Sequence, residues 1–242
     1  MNPKAAIIVI GDEILSGLTP DLNSGWLAKQ LFDLGVFANI IITIPDNREV
    51  IIDWVVKLSK EYDFVFTTGG IGPTHDDVTR ESMAKAFNHR FVLHPEAEKY
   101  LRDFYKDRIT ESRLSMAYLP EGVKLIRNPI SAAPGFIIEN VFVFPGIPEL
   151  LKLMFSQIIE NFNYSQFHIR LIKTNLPESV YAKELFLTAE KYPSVIIGSY
   201  PKIYDTTCKT EIVLKSKRES DLQDAFEHVE SLVQKLQTET TQ

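Results

Sequence analysis

The chain has 242 residues, enough for one large domain and a small one, with the 45% apolar and 24% charged fractions of an ordinary globular protein. A formal charge of −6 without a long Lys/Arg run argues against nucleic acid or an anionic membrane as main partner, and Lys215-Ser216-Lys217-Arg218 reads as a solvated approach to a helix. The single cysteine, Cys208, leaves no internal disulfide framework, and the lack of a bilayer-spanning stretch or signal-peptide pattern makes cytoplasmic residence the expectation.

Residues 4–10 form a continuous apolar run, which predicts a strand buried on both faces, ending at Gly11-Asp12-Glu13-Ile14-Leu15-Ser16-Gly17. Thr19-Pro20 reads as a helix start, with the hydroxyl as cap and proline first in the helix. Leu22, Trp26, Leu27, Leu31 and Leu34 follow at helical spacing up to Gly35. A second strand, 38–44, ends at Pro45-Asp46-Asn47, and a helix over about 48–60 buries Val50, Ile51, Trp54, Val55 and Leu58. Phe64-Val65-Phe66 then leads into Thr68-Gly69-Gly70-Ile71-Gly72-Pro73-Thr74-His75-Asp76-Asp77-Val78-Thr79 and a helical pattern over 80–87. Alternating strands and helices at this spacing predict an α/β fold with a parallel sheet and right-handed crossovers. Ligands of such sheets bind beyond the carboxyl ends of the strands, where acidic groups here converge.

Residues 88–119 read as mostly helical, over 95–105 and 111–118, and the two prolines and glycine of 128–135 break regular structure. Residues 136–138 and 141–144 read as a tight hairpin whose second arm runs into Pro145-Gly146-Ile147-Pro148-Glu149 and a helix to about 160. If that arm joins the sheet parallel to the others, a fourth loop reaches the same edge. A linker near 161–166 divides a domain of residues 1–165 from one of 166–242. The second reads as strand (167–172), helix (178–191), strands (195–198 and 210–214) and helix (221–236), a small α+β layer with helices on one face; residues 237–242 should fray.

Gly69, Gly70 and Gly72 let backbone N–H groups approach an anion closely, while Asp76 and Asp77 repel bare phosphate. Both fit if a divalent cation lies between carboxylate and phosphate. The loop is not a P-loop, having no lysine near Gly72, nor a dinucleotide fingerprint, since His75 stands where a glycine belongs. No Gly-x-Ser-x-Gly elbow occurs, and histidines 75, 89, 94, 168 and 228 lack zinc spacing. His75 is open between ligand contact and solvation. Asp46, which with Asn47, Arg48 and Glu49 opens an Asp-x-x-Glu start, reads as a helix cap as well as a ligand, and Asp77 has the same two readings. Convergence of three acidic strand ends favours the ligand reading, because capping does not require it.

Gly11-Asp12-Glu13-Ile14-Leu15-Ser16-Gly17, Asp21-Leu22-Asn23, Pro45-Asp46, the glycine–aspartate loop and Pro145-Gly146-Ile147-Pro148 together resemble the molybdopterin-binding (MoaB/Mog-like) fold, and more closely the N-terminal region of the CinA family. The stretch 193–201, with Pro148-Glu149-Leu150-Leu151, is similar to the molybdopterin-binding-like region of eukaryotic FAD synthase. The resemblance implies a three-layer α/β/α sandwich binding a nucleotide or pterin phosphate, self-associating as a dimer or trimer. It implies a divalent metal (Mg²⁺, with Mn²⁺ or Co²⁺ as alternatives), catalytic roles for Asp46 and Asp77, and hydrolysis of ADP-ribose, FAD or a related diphosphate. In that reading Asp46, Asp76 and Asp77 place the metal, Gly69, Gly70, Gly72, Thr74 and Thr79 hold phosphate, and Gly11, Asp12, Glu13, Ser16, Asn23, Thr68, Pro73, Pro145 and Gly146 border the ligand. A non-catalytic nucleotide- or pterin-binding module is the second hypothesis, and molybdopterin adenylation or molybdenum insertion, on fold analogy, the third. The amidase domain of CinA proteins is not among these residues, so that activity is not expected. Ser131-Ala132 stands where CinA-like sequences read Gly-Thr, which bears on substrate choice.

Overall fold

Lys4–Ile10 (β1) lies inside the larger sheet because each residue from Ala5 to Ile10 has apolar cover on its own side. Ala6, Ile8 and Ile10 face one core with Ile51, Val55 and Leu58, whereas Ala5 and Ile7 face another with Leu27, Leu31 and Met154. Successive strand residues point to opposite faces, so a doubly covered strand carries no polar alternation. The computed structural model describes residues 3–162, 164–202 and 208–240. The chain divides into two compact units, Met1–Tyr164 and Ser165–Gln242.

In the first unit β1 is followed by Asp12–Leu15 (α1), Ser24–Asp33 (α2), Phe37–Ile44 (β2), Arg48–Glu61 (α3), Phe64–Thr68 (β3) and Thr79–Ala86 (α4). Then come Phe91–Leu93 (β4), Pro95–Tyr105 (α5), Glu111–Ser115 (α6), Tyr118–Pro120 (β5), Lys124–Ile126 (β6), Gly135–Ile138 (β7), Val141–Phe144 (β8) and Pro148–Phe155 (α7). Six strands pair in the order β2-β1-β3-β8-β7-β6, all parallel except β7, which is antiparallel to both neighbours. α2 and α7 cover one face and α3, α4 and α5 the other, giving the three-layer α/β/α sandwich. On the first face Phe66 stacks on Phe142 at 5.0 Å between centroids and meets Phe162 at 5.9 Å.

The hairpin arm β8 does run parallel to β3, so Pro145-Gly146 reaches the common edge. Register aligns Ile10 with Ile44, Val9 with Thr68, and Thr68 with Phe144. The loops that follow β1, β2, β3 and β8 therefore start almost level. β6 runs in the same direction as β8, and its carboxyl end opens there too.

Three local expectations are corrected. α2 begins at Ser24 rather than Thr19, because Asp21 Oδ1 accepts the N–H groups of Asn23 (2.9 Å) and Ser24 (3.0 Å) and so provides the start that Thr19 was expected to give. Residues 88–119 are not all helical: β4 and β5 pair antiparallel, and α6 stops at Ser115, whose carbonyl accepts from Arg80. α7 ends at Phe155 and continues as 3₁₀ turns through Asn161.

The second unit comprises His168–Thr174 (β9), Glu178–Lys191 (α8), Ile196–Pro201 (β10), Thr210–Ser216 (β11) and Glu219–Thr240 (α9). Its antiparallel sheet has the order β10-β11-β9, and Ile212 and Leu214 of β11 pack with Tyr181 of α8 and Leu222 and Val229 of α9. Gln237, expected to fray, stays helical and donates to Thr174 Oγ1 (3.2 Å); residues 241 and 242 lie outside the described residues. Among the described residues no helix is long and apolar enough to cross a membrane.

Phe66 is fully buried at the centre of the aromatic cluster. Phe66→Ala is expected to cost roughly 3–5 kcal/mol, read as a lowered urea midpoint with an unchanged slope; a loss under 1 kcal/mol would show that the cluster does not hold this face.

Candidate functional site

Beyond β2 the chain turns at Pro45-Asp46-Asn47, and Asn47 is the cap of α3: its Oδ1 accepts from the N–H groups of Glu49 (3.1 Å) and Val50 (3.2 Å). Asp46 is thereby released from capping. Its Oδ2 accepts the N–H of Asp12 (3.0 Å), tying the second strand's loop to the first. Its Oδ1 faces Gly70, where a Cβ would stand 3.3 Å away and collide with Thr79 Oγ1. Gly70 also has φ +67°, so this position needs glycine for both space and conformation. Thr79 Oγ1 is buried and has no hydrogen-bond partner among the described residues.

Asp77 behaves differently. Its Oδ1 accepts the Gly72 N–H (2.6 Å), and its Oδ2 accepts the Thr74 N–H (2.8 Å) and the Thr74 hydroxyl. The donors of Gly72 and Thr74, expected to hold phosphate, are thus spent on Asp77, and the Gly69 N–H is spent on the Phe144 carbonyl (3.1 Å). Gly70, Ile71 and His75 are left as the loop amides without a partner among the described residues. Behind the loop Arg80, 6% exposed, donates through Nη2 to the Gly72 carbonyl (2.7 Å) and through Nη1 to the Ser115 carbonyl. Burial pulls its pKa down and the Asp77 charge pushes it back up. Gly72 is therefore clamped from both sides, its N–H by a carboxylate and its carbonyl by a guanidinium.

Burial, chiefly, holds the Asp46 carboxyl above the ordinary carboxylate range; the charges of Asp12, Glu13 and Asp76 add to this and the Asp12 N–H opposes it. Asp76 is fully exposed, and the Thr74 hydroxyl and its own backbone N–H lower its pKa. His75 is solvent-facing, 4.0 Å from Asp76. The acidic neighbours of Asp46 are thus Asp12, Glu13 and Asp76, without Asp77. Among the described residues no three His, Cys, Asp or Glu side chains are grouped to hold a metal, so the set Asp46, Asp76 and Asp77 is not assembled as expected. The reason is that Asp77 turns into its own loop. A hard cation bound through one or two carboxylates and completed by ligand phosphate oxygens does fit a crowded Asp46 beside the orphaned Thr79 hydroxyl.

The remaining candidates frame this edge. Asn23 Nδ2 donates to Thr68 Oγ1 (2.9 Å) and the Gly146 carbonyl (2.7 Å), and the Thr68 hydroxyl donates to the Pro145 carbonyl (2.9 Å). The Gly11 N–H donates to the Ile44 carbonyl (3.1 Å), and Ser16 Oγ to the Glu13 carbonyl (3.2 Å). Pro73 is exposed. Beyond β6, Ala132 has φ +60° and lines a cavity of about 430 Å³ with Tyr100, Phe104, Arg127 and Asn128. Sequence reasoning missed Arg80. The available signal was a cation in the first turn of a helix, where the macrodipole disfavours it.

Residues 6–163 match the family described as "Probable molybdopterin binding domain". The chain belongs to this family. Residues 166–241 match "FAD synthase, middle domain". A protein of Archaeoglobus fulgidus is 41% identical over 196 residues, covering 81% of this chain and 85% of its own length. A CinA-like protein of Kosmotoga olearia is 37% identical over 163 residues, covering 64% of this chain and 40% of its own. The matched part is thus well under half of that CinA-like relative. The crystal structure of CinA from Thermoplasma acidophilum, a protein with unknown function, aligns with a TM-score of 0.63 at 27% identity, over 66% of this chain and 99% of that one.

Removing the Asp77 acceptors leaves the Gly72 and Thr74 donors of the first unit unpaired. Asp77→Ala should therefore destabilise the first unit by roughly 1–3 kcal/mol in chemical denaturation, and an unchanged midpoint would show that the loop holds its shape without it. Asp46 gives the opposite sign. The folded state holds the Asp46 proton more tightly than the unfolded chain, so stability falls as pH rises from 3.8 through the raised folded value. Asp46→Asn, which keeps an acceptor for Asp12, is expected to melt higher than wild type at pH 7, the gap closing below pH 3.8. Equal melting temperatures at pH 7 would remove the strain assigned to Asp46.

Proposed function

We propose that the first unit is a metal-dependent pyrophosphatase that splits a nucleoside-diphosphate-linked compound, of the ADP-ribose or FAD class, into AMP and a phosphate ester. The observation that carries this is Asp46, a half-buried carboxyl pressed by Asp12, Glu13 and Asp76 beside the unpartnered amides of Gly70 and Ile71. Carboxylates repel a diphosphate unless a cation stands between them, whereas bare amides attract it. The two together call for a phosphate ligand that arrives with Mg²⁺, Mn²⁺ or Co²⁺.

Asp46 and Asp76 would hold the cation. When bound, it neutralises diphosphate charge and lowers the pKa of water toward neutrality. The chain's own part is orientation. The Asp12 N–H fixes the Asp46 carboxyl, and the Gly70 and Ile71 amides take a phosphate oxygen. Thr79 Oγ1 supplies a hydroxyl otherwise without a partner, while Asp77 and Arg80 keep the loop in shape without touching the ligand.

Incubating the chain with ADP-ribose, FAD, NAD or CoA and each of the three metals, with products separated by chromatography, should release AMP (adenosine 3′,5′-bisphosphate from CoA) from at least one compound in a metal-dependent way. Asp46→Asn should lower kcat/KM by about 100-fold or more. No AMP in any combination, or wild-type turnover by Asp46→Asn, would sink the hydrolase reading. A second reading, a non-catalytic nucleotide- or pterin-binding module, is favoured by the inward turn of Asp77 and the unassembled three-carboxylate group. Tight calorimetric binding of ADP-ribose without AMP release would select it.

A further inference from the structure

β2 is the outermost strand of the six-stranded sheet and pairs on one side only, with β1. Its eight residues include no charge and no proline, so it lacks the side chains that keep an exposed strand edge from pairing further. Register with β1 slips once, between Ala5 and Ala6, which leaves Asn39 as an extra residue and 40–44 as the regular stretch. One bond then fixes the direction of every backbone group in that stretch. The Ile44 carbonyl accepts the Gly11 N–H, so Ile44, Ile42 and Ile40 turn their backbone groups toward β1. Ile41 and Thr43 turn theirs outward, because successive strand residues address opposite edges. The side chains alternate as well. Ile40, Ile42 and Ile44 join the core beneath α3, which puts Ile41 and Thr43 on the other face, and Ile41 is 45% exposed there.

We infer that β2 is a homodimer interface, at which β2 of a second copy pairs antiparallel about a two-fold axis through Ile42 and carries the sheet from one subunit into the other. The strand's own pattern selects this register. With the axis at Ile42, Ile41 lies opposite Thr43 of the second copy, and both have outward backbone groups, so each such pair exchanges its N–H···O=C bonds in both directions. Ile42 meets its own equivalent as the closely spaced pair without hydrogen bonds, and Ile40 meets Ile44 of the second copy on the same face. An axis at Ile41 would oppose Thr43 to the slipped Asn39. An axis at Thr43 would oppose Ile41 to Pro45, which has no N–H. A second copy is the fitting partner because the same residues satisfy both sides of the pairing, and no side chain of β2 brings like charges together. The loops after the two β2 strands leave in opposite directions, so each Asp46 stays at its own end of the joined sheet. The inference goes beyond the proposed function and does not depend on it.

Sedimentation of the whole chain over a range of concentrations should show a dimer that dissociates on dilution. Ile41→Lys places a charge on the edge, and Thr43→Pro removes an outward N–H that β1 does not use; each should raise the dissociation constant at least about tenfold. Hydrogen exchange gives a reading that a folding defect does not imitate. The Ile41 and Thr43 amides should exchange roughly tenfold or more slowly in the wild-type dimer than in the dilute monomer, while β1 protects the Ile42 amide equally in both. A monomer at every concentration, a trimer, or a dimer that both variants leave intact would overturn the inference. So would a dimer in which the Ile41 and Thr43 amides exchange as fast as in the monomer, and this comparison uses the wild type alone.

Discussion

The carboxylate of Asp77 closing on the amides of Gly72 and Thr74 is the interaction on which the edge of this sheet depends. A glycine-rich loop gives up more backbone entropy on ordering than any other segment of its length, so it needs a local partner to hold one shape. Asp77 supplies acceptors from one side, and Arg80 takes the Gly72 carbonyl from the other. Arg80 is almost wholly buried, and its charge is met by the Gly72, Ser115 and Tyr118 carbonyls and by the nearby Asp77 carboxylate.

With the loop held in that way, Asp46 is the carboxyl left under tension. Asn47 has taken over the helix cap, and the side chain of Asp46 lies half buried among three other acids with one backbone N–H to satisfy it. Its burial among like charges lowers stability at neutral pH, and perturbed groups of this kind cluster at functional sites. The same logic covers Asn23 Oδ1 and Thr79 Oγ1, both buried and unpaired on one edge of the sheet. The Phe66 cluster, by contrast, is built of buried aromatic rings.

The four loops are not independent. Asn23, Thr68, Pro145 and Gly146 form a hydrogen-bond chain from the start of α2 through the end of β3 to the loop after β8. The Asp46–Asp12 bond joins the loops after β1 and β2. A ligand touching any one of these turns therefore meets a surface whose parts are set by the others.

The order of strands and helices, the doubly buried β1 and the run of loops toward one edge were legible in the sequence, because apolar periodicity and turn residues act over a few neighbours. The hairpin sending Pro145-Gly146 to that edge was legible for the same reason. Which carboxylate is spent on its own loop was not. Asp46 and Asp77 look alike along the chain, each followed by a helix, and their fates diverge through their donors: Asp12 of another strand's loop for one, Gly72 and Thr74 of its own loop for the other. Thr19-Pro20 reads as a helix start until Asp21 takes the Asn23 and Ser24 amides and sets the start further on, and Arg80 looks like surface until the Ser115 and Gly72 carbonyls close around it. Local pattern determined where the chain would place its acids. Tertiary structure decided what each acid does, since a hydrogen-bond donor brought in from a distant strand can be spent only once.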